Sequence, residues 1–357
     1  MTKNTETALL KSTQVATREL GSTGLSVSLL GLGGAPLGEL FQAVGEQRAQ
    51  AILRTAWAGN IRFYDTAPWY GHGQSEHRMG TFLRQQRRDQ FVLSTKVGRV
   101  YRPARDPAHR TPPWVGGLPF VPCFDYSYDG VMRSWEDSLM RLGLNQVELL
   151  VIHDLDTGYH GSGSTLDTHR KNLESGGWRA LEKLKSSGAI RGIGAGINDD
   201  DMIPWFLDNF PLDFLLIAMP YTLLDQSALE YALPSCLEKG VSVVIGSPYA
   251  SGILATGAVE AAVYNYAPAD PAIKNKTRRI QAVCESHGVS LQAAALQFPL
   301  GHPSVVSVIP GATETANVSA NLQHLSVRIP HSLWVDLIGE KLLCEQAPLP
   351  SSIESRK

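Results

Sequence analysis

The chain has too few cysteines, too widely spaced, for a disulfide scaffold or a thiolate metal centre. Cys123, Cys236, Cys284 and Cys344 stand far apart in 357 residues and form no CxxC pair, so thiols in a reducing compartment are expected. The histidines include no HxxxH or HxH pair; His72, His160 and His302 read as solvated loop residues, and no metal is expected. Net charge is equally scarce. With 32 basic against 34 acidic residues there is no field to draw nucleic acid or an anionic membrane. No apolar run approaches the roughly 20 residues that a membrane-spanning helix needs. Residues 1–16, MTKNTETALLKSTQVA, carry Lys3, Glu6 and Lys11 and no continuous apolar stretch, which argues against a secretory signal and reads as a flexible tail. These absences point to the cytoplasm and to a small neutral or polar partner, with the chain a monomer or small homo-oligomer.

What is present is a large apolar fraction, 43% against 18% charged, enough for a sizeable core. Length alone allows two ordinary domains or one α/β barrel. Eight short, β-rich apolar runs decide between them: VSLLGLG from Val27, IRFYDT from Ile61, FVLSTK from Phe91, VELLVIH from Val147, AIRGIGAG from Ala189, DFLLIAM from Asp213, VSVVIGS from Val241 and VVSVIP from Val305. Continuous apolarity suits parallel strands covered on both faces. Helical patterns alternate with them, as in EQRAQAILRTAWAG from Glu46 and YDGVMRSWEDSLMRLG from Tyr128, and Gly143, Gly188 and Gly240 stand at C′ positions. The alternation predicts an α/β fold of the closed (β/α)8 TIM-barrel type, one domain over 17–345, with the sequence before Val27 as a lid on its bottom and 346–357 as a C-terminal tail. Three long excursions, over 98–128, after the fourth strand and after the seventh, leave the C-terminal ends of strands, where such barrels build their sites.

Asp65 ends the second strand, Lys96 the third and His153 the fourth, and Tyr70 follows Asp65 closely, so all four face one mouth. An Asp and a Lys on adjacent buried strands imply an ion pair, which on its own could simply plug the barrel. Tyr70 and His153 favour chemistry. A phenol of reference pKa about 10 needs help of ~2 to 3 units to exchange a proton near neutrality. One ammonium about 4 Å away supplies about that at an effective dielectric of ~20. Lys96 is thus expected to make Tyr70 acidic, with Asp65 holding the ammonium and His153 orienting the reacting oxygen. Proton exchange at an oxygen beside a hydride acceptor is alcohol oxidation or carbonyl reduction.

On these residues the sequence resembles the aldo-keto reductase superfamily over nearly its whole length. RELGSTGLSVSLLGLGG from Arg18 is similar to the family's opening, FYDTAPWYGHGQSE to its Asp-Tyr motif, STK to its lysine strand and VIHD to its histidine strand. The resemblance implies that Asp65, Tyr70, Lys96 and His153 form the catalytic tetrad, with Tyr70 as acid/base. More narrowly, VIHDLD, GYHGSG, IGAGIN, PYASGIL and HPSVVSVIPGA look like the branch of aldose 1-dehydrogenases acting on L-fucose, L-galactose and D-threo-aldoses, near which bacterial pyridoxal 4-dehydrogenase also lies. It implies a nicotinamide nucleotide held by Gly33, Asp65 and Asn198, by Ser247, Pro248, Tyr249, Gly252 and Leu254 after the seventh strand, and by Pro310, Gly311, Ala312, Asn317 and Asn321 after the eighth. Where NADP-using relatives carry a lysine and an arginine this chain has Gly311 and Asn317, so NAD is expected over NADP. The usual carboxamide-holding and ring-stacking residues read here as Gly196, Ala218 and Gly246.

The expected reaction is NAD-dependent oxidation of a cyclic hemiacetal, an aldose, to its lactone; pyridoxal, whose aldehyde closes on a neighbouring hydroxymethyl group, is the alternative, and a non-catalytic nicotinamide-binding regulatory subunit the rival from another class. Trp69, His153, Phe124 and Tyr128 are the candidates for touching substrate. GIGAG from Gly192 tempts a Rossmann reading, but it lacks a third glycine at the right offset and no long helix follows.

Overall fold

The computed structural model describes residues 15–198 and 200–350. Eight parallel strands form its centre: β1 (Leu32–Gly33), β2 (Phe63–Asp65), β3 (Val92–Val97), β4 (Leu149–His153), β5 (Gly192–Ile197), β6 (Phe214–Ile217), β7 (Ser242–Ile245) and β8 (Val305–Val308). Each pairs with the next in chain order, and parallel bridges Leu30↔Val308 and Gly33↔Gly311 join the first to the last. The result is the (β/α)8 barrel that the strand-helix alternation predicts.

Alternate residues of each strand fill the interior. Phe63, Leu149, Val151, Phe214, Leu216, Val244 and Val306 form one buried cluster there, and Leu20 and Val27 reach it from below. Those two belong to an antiparallel hairpin, Thr17–Leu20 with Leu25–Ser28, which closes the bottom. The run from Val27 therefore divides between hairpin and barrel. Its later half is kept close to the eighth strand by glycine, since a Cβ on Gly31 would lie 2.7 Å from Ile309 Cγ2 and one on Gly33 2.7 Å from the Ile309 carbonyl. The GIGAG glycines have the same kind of role. Gly194 faces inward, and a Cβ there would lie 2.7 Å from the Phe214 ring.

Outside the strands lie amphipathic helices, among them α1 (Glu46–Ala58), α2 (Gln74–Leu83) and α3 (Tyr128–Leu142), whose apolar faces join the main core. The excursion after β3 contains an antiparallel ribbon, Arg99–Pro103 with Phe120–Phe124. The one after β4 is mostly helical: α4 (Ser164–Asn172) runs through a π-turn at Leu173–Gly177 into α5 (Trp178–Ser186). Gly177 permits this, because a Cβ there would lie 2.1 Å from the Tyr126 carbonyl. The excursion after β7 holds short helical turns and the ribbon Val263–Tyr264 with Ala267–Pro268. Ala347 is buried and the Pro348 carbonyl comes close to Gly301, so 346–350 lie against the barrel. The tail expected at 1–16 falls, for residues 1–14, outside the described residues, as does 351–357. Among the described residues no helix is long and apolar enough to cross a membrane.

Candidate active site

Inward positions at the tops of β2, β3 and β4 carry Asp65, Lys96 and His153; Asp65 pairs with Ser94 and Lys96 with Val151, so each stands two residues further along its strand than the one before and all three share the inward face. Lys96 Nζ donates to Asp65 Oδ2 at 2.6 Å and to the Thr66 carbonyl at 2.9 Å. Tyr70 lies on the turn after β2. The left-handed backbone of Gly71, His72 and Gly73 folds that turn back, and Gly38 packs so tightly beneath it that a Cβ would stand 2.4 Å from the Tyr70 carbonyl carbon. His72 is spent here: its ring Nδ1 meets the Leu118 carbonyl at 3.1 Å. The Tyr70 ring centre is 4.8 Å from Lys96 Nζ and 5.9 Å from the His153 ring, edge to face. The structure thus gathers all four expected residues.

Their electrostatics differ from the expectation in one respect. Burial, and then the Asp65 carboxylate, push the Tyr70 phenol well above its ordinary value. The expected lowering by Lys96 is overturned because the ammonium is matched by a carboxylate 2.6 Å away and the half-buried phenol sits where partial desolvation disfavours its charged form. Burial, Arg99 and Lys96 hold the His153 imidazole well below its usual range. The site therefore presents a protonated phenol and a neutral imidazole at pH 7.

Arg99 and Asp154 belong to this centre and sequence reasoning passed over both. Arg99 opens the ribbon after β3; its Nη1 is 3.1 Å from His153 Nδ1 and its Nη2 2.7 Å from Asp154 Oδ2. A carboxylate directly after an inward histidine, in VIHD, was the available sign that a buried cation must lie near.

A cavity of about 1340 Å³ opens above the four residues. Trp69 and His153 line it as expected; Phe124 and Tyr128 do not, and both assignments are corrected. Phe124 packs against the Arg99 guanidinium and the His160 ring. Tyr128 is the first residue of α3, outside the barrel, where its hydroxyl accepts from Lys183 at 3.1 Å. The wall is built instead by Phe41, Trp114, Tyr159 and Tyr266.

The same cavity runs toward α6 (Thr315–Ser326). Gly33, Asn198, Ser247, Pro248, Tyr249 and Gly252 line it, as do Pro310, Gly311, Asn317 and Asn321. Leu254 and Ala312 do not: both are buried in the hydrophobic core, which corrects their assignment. Tyr249 donates to Asn321 Oδ1 at 2.7 Å, fixing how that amide faces the cavity. Asn317 Oδ1 accepts from the backbone of Thr313 and Glu314 in a capping box with the Glu314 side chain, so part of the helix N-terminus is already satisfied by the chain itself.

These residues fit a nicotinamide dinucleotide. Gly196, Ala218 and Gly246 form a floor beside His153, where a Cβ on Gly246 would stand 2.9 Å from Leu216 Cδ2 and one on Gly196 2.9 Å from Val151 Cγ1. Their smallness leaves room for a flat ring.

Residues 29–336 match the model of the Aldo/keto reductase family. The chain is 39% identical over 341 residues to pyridoxal 4-dehydrogenase of Microbacterium luteolum, covering 91% of this chain and 97% of that one. It is 36% identical over 330 residues to D-threo-aldose 1-dehydrogenase of a Pseudomonas species, covering 90% and 96%. The solved holo structure of aldo-keto reductase AKR11C1 from Bacillus halodurans superposes with a TM-score of 0.71 at 26% identity, over 94% of this chain and 100% of that one. The chain therefore belongs to the aldo/keto reductase family and is an oxidoreductase.

Proposed function

We propose that the protein oxidises a cyclic hemiacetal to its lactone with NAD as acceptor. The observation that carries this reading is the phenol of Tyr70 set between Lys96 and His153 at the base of a cavity large enough for nucleotide and substrate together. NAD supplies the hydride acceptor when bound, held by the residues after β7 and β8.

The chain's own residues handle the proton. Tyr70 Oη takes it from the hemiacetal hydroxyl. Lys96, fixed by Asp65 and the Thr66 carbonyl, lessens the cost of the phenolate that must be present to accept it, and the transfer leaves a neutral phenol. His153, neutral, donates a hydrogen bond to the reacting oxygen and orients it. Trp69, Trp114 and the other wall aromatics exclude water from the reacting carbon.

That wall also bears on the substrate. Rings from five separate loops, Phe41, Trp69, Trp114, Tyr159 and Tyr266, surround the space above Tyr70, which suits a hemiacetal fused to an aromatic ring, and pyridoxal is such a compound. A sugar lactol is the second reading, favoured by the polar groups of Gln42 and Asn265 on the same wall. Supplying NAD with pyridoxal, L-fucose or L-galactose in turn and following reduced nicotinamide by absorbance tests both. Turnover is expected with pyridoxal above the sugars. Binding of NAD without turnover of any of them would leave the regulatory-subunit reading instead.

A further inference from the structure

Behind the His153 ring, on the side away from the cavity, lies a buried cation that the reaction as described does not use. Arg99 is 3% exposed. Its guanidinium stacks within 4.4 Å of the Phe124 ring centre and 4.9 Å of those of Trp69 and Tyr159, and its charge is met by Asp154 at 2.7 Å. Such a cage fixes the guanidinium in place and direction, since ring faces attract a cation from several sides. Asp154 is itself held in a left-handed backbone conformation, φ +52°, unusual for a residue other than glycine. The chain accepts that strain directly after β4, where it brings the carboxylate onto Arg99.

We propose that Arg99 is a positioning residue: by donating to Nδ1 of His153 it holds the imidazole in the tautomer that carries its proton on Nε2, the nitrogen available to the substrate oxygen. The proposal rests on the hemiacetal-oxidation reading and deepens it. A guanidinium has donors only, so the 3.1 Å contact between Nη1 and Nδ1 requires Nδ1 to accept. Neutral imidazole then has its single proton on Nε2. That nitrogen is 3.4 Å from Asp154 Oδ2, too long for a strong hydrogen bond, and remains able to donate into the cavity. The carbonyl of His153 is pinned from behind as well, accepting from the Tyr126 hydroxyl at 2.7 Å.

The charged and titratable groups around the ring agree with a neutral imidazole. Lys96 stands on β3, Arg99 on the ribbon, Tyr70 on the turn after β2 and Asp154 at the end of β4, with Tyr126 and His160 on the far side of Arg99. Two cations and the burial oppose protonation; Asp154 alone favours it, and it is engaged by Arg99.

Nitrogen NMR of the full-length protein labelled in histidine reads the tautomer directly, with the His153 signals identified by their loss in H153Q. The expected spectrum has Nε2 protonated and Nδ1 unprotonated, unchanged over about pH 6 to 8. In R99M the two nitrogens should average toward a mixture, kcat should fall about tenfold to a hundredfold with little change in KM, and R99K should recover part of both. A wild-type proton on Nδ1 would overturn the proposal, as would an R99M spectrum identical to wild type. If R99M does not fold, the wild-type spectrum still decides. Because the tautomer is observed without turnover, failure of every substrate would remove the proposed reaction and leave this reading standing.

Discussion

Lys96 Nζ and Asp65 Oδ2 stand 2.6 Å apart with their side chains 1% and 2% exposed. At that burial neither charge has water to fall back on. Removing one partner strands the other, at a typical cost of about 3–5 kcal/mol. D65N and K96M should therefore each lower the urea midpoint as well as turnover, while the double variant D65N/K96M should regain stability without regaining activity. Equal activity in all four proteins, measured with the substrate that wild type turns over, would detach this pair from the chemistry.

Replacing Tyr70 by Phe removes the proton acceptor and almost nothing else, because the ring's contacts with Trp114 and His153 are kept. Turnover should drop about a thousandfold, within the range general acid-base groups contribute, while NAD titrated by quenching of protein fluorescence should bind as before. Retained turnover would assign the proton to another group.

The direction of the Tyr70 shift sets a pH dependence. Oxidation needs the phenolate, and the folded pKa is raised above the ordinary value of 10.0 by burial and Asp65. Below that raised pKa the active fraction grows about tenfold per pH unit. The oxidative kcat/KM should thus climb through the alkaline range with no plateau by about pH 9, and carbonyl reduction, which needs the protonated phenol, should stay flat there. A plateau for oxidation near neutrality would show that ligand binding reverses the shift.

Trp114 reaches the cavity from the ribbon loop and meets the Trp69 ring edge to face at 5.6 Å. An aromatic substrate stacked on this pair would lose about 0.5–1.5 kcal/mol of ring contact in W114A beyond the area it no longer covers. KM for pyridoxal should rise about tenfold and KM for L-fucose much less. Equal losses for both would make Trp114 a packing residue of the loop.

Much of the centre was legible because strand geometry is simple. Inward residues alternate, so the side chains at the tops of three adjacent strands had to converge, and Asp65, Lys96 and His153 do. Arg99 was not legible for the opposite reason. Its ribbon pairs it with Phe124 across an excursion of more than twenty residues, and nothing local says that the guanidinium turns back under His153. Phe124 and Tyr128 looked like substrate contacts because their loop had to be near the mouth. In the fold one backs the arginine and the other starts an outer helix. Gly176 and Gly177, at the end of the excursion after β4, let a helix touch the backbone at Tyr126 and Tyr128. The sequence also suggested that an ammonium beside a phenol lowers its pKa; distances show the carboxylate that cancels it.

The proposed preference for NAD over NADP is testable at the N-terminus of α6, beside the far end of the cavity that Asn317 lines. Glu314 caps α6 and pairs with Arg48 at 3.0 Å, both side chains about half exposed at 52% and 46%. A 2′-phosphate brought there meets a carboxylate, while Arg48, the cation that could receive it, is already engaged. E314Q keeps a capping oxygen and removes the charge, so it should spare the fold and release Arg48 toward the phosphate. KM for NADP should fall about tenfold, as one charge-assisted contact of about 1.5 kcal/mol allows, with KM for NAD almost unchanged. Adding R48Q should cancel that gain, which separates release of the arginine from simple loss of repulsion. N317R is a poorer probe, since it removes the capping amide and costs about 1 kcal/mol of helix stability on its own. An NADP constant indifferent to both E314Q and E314Q/R48Q would place the discrimination elsewhere along the cavity.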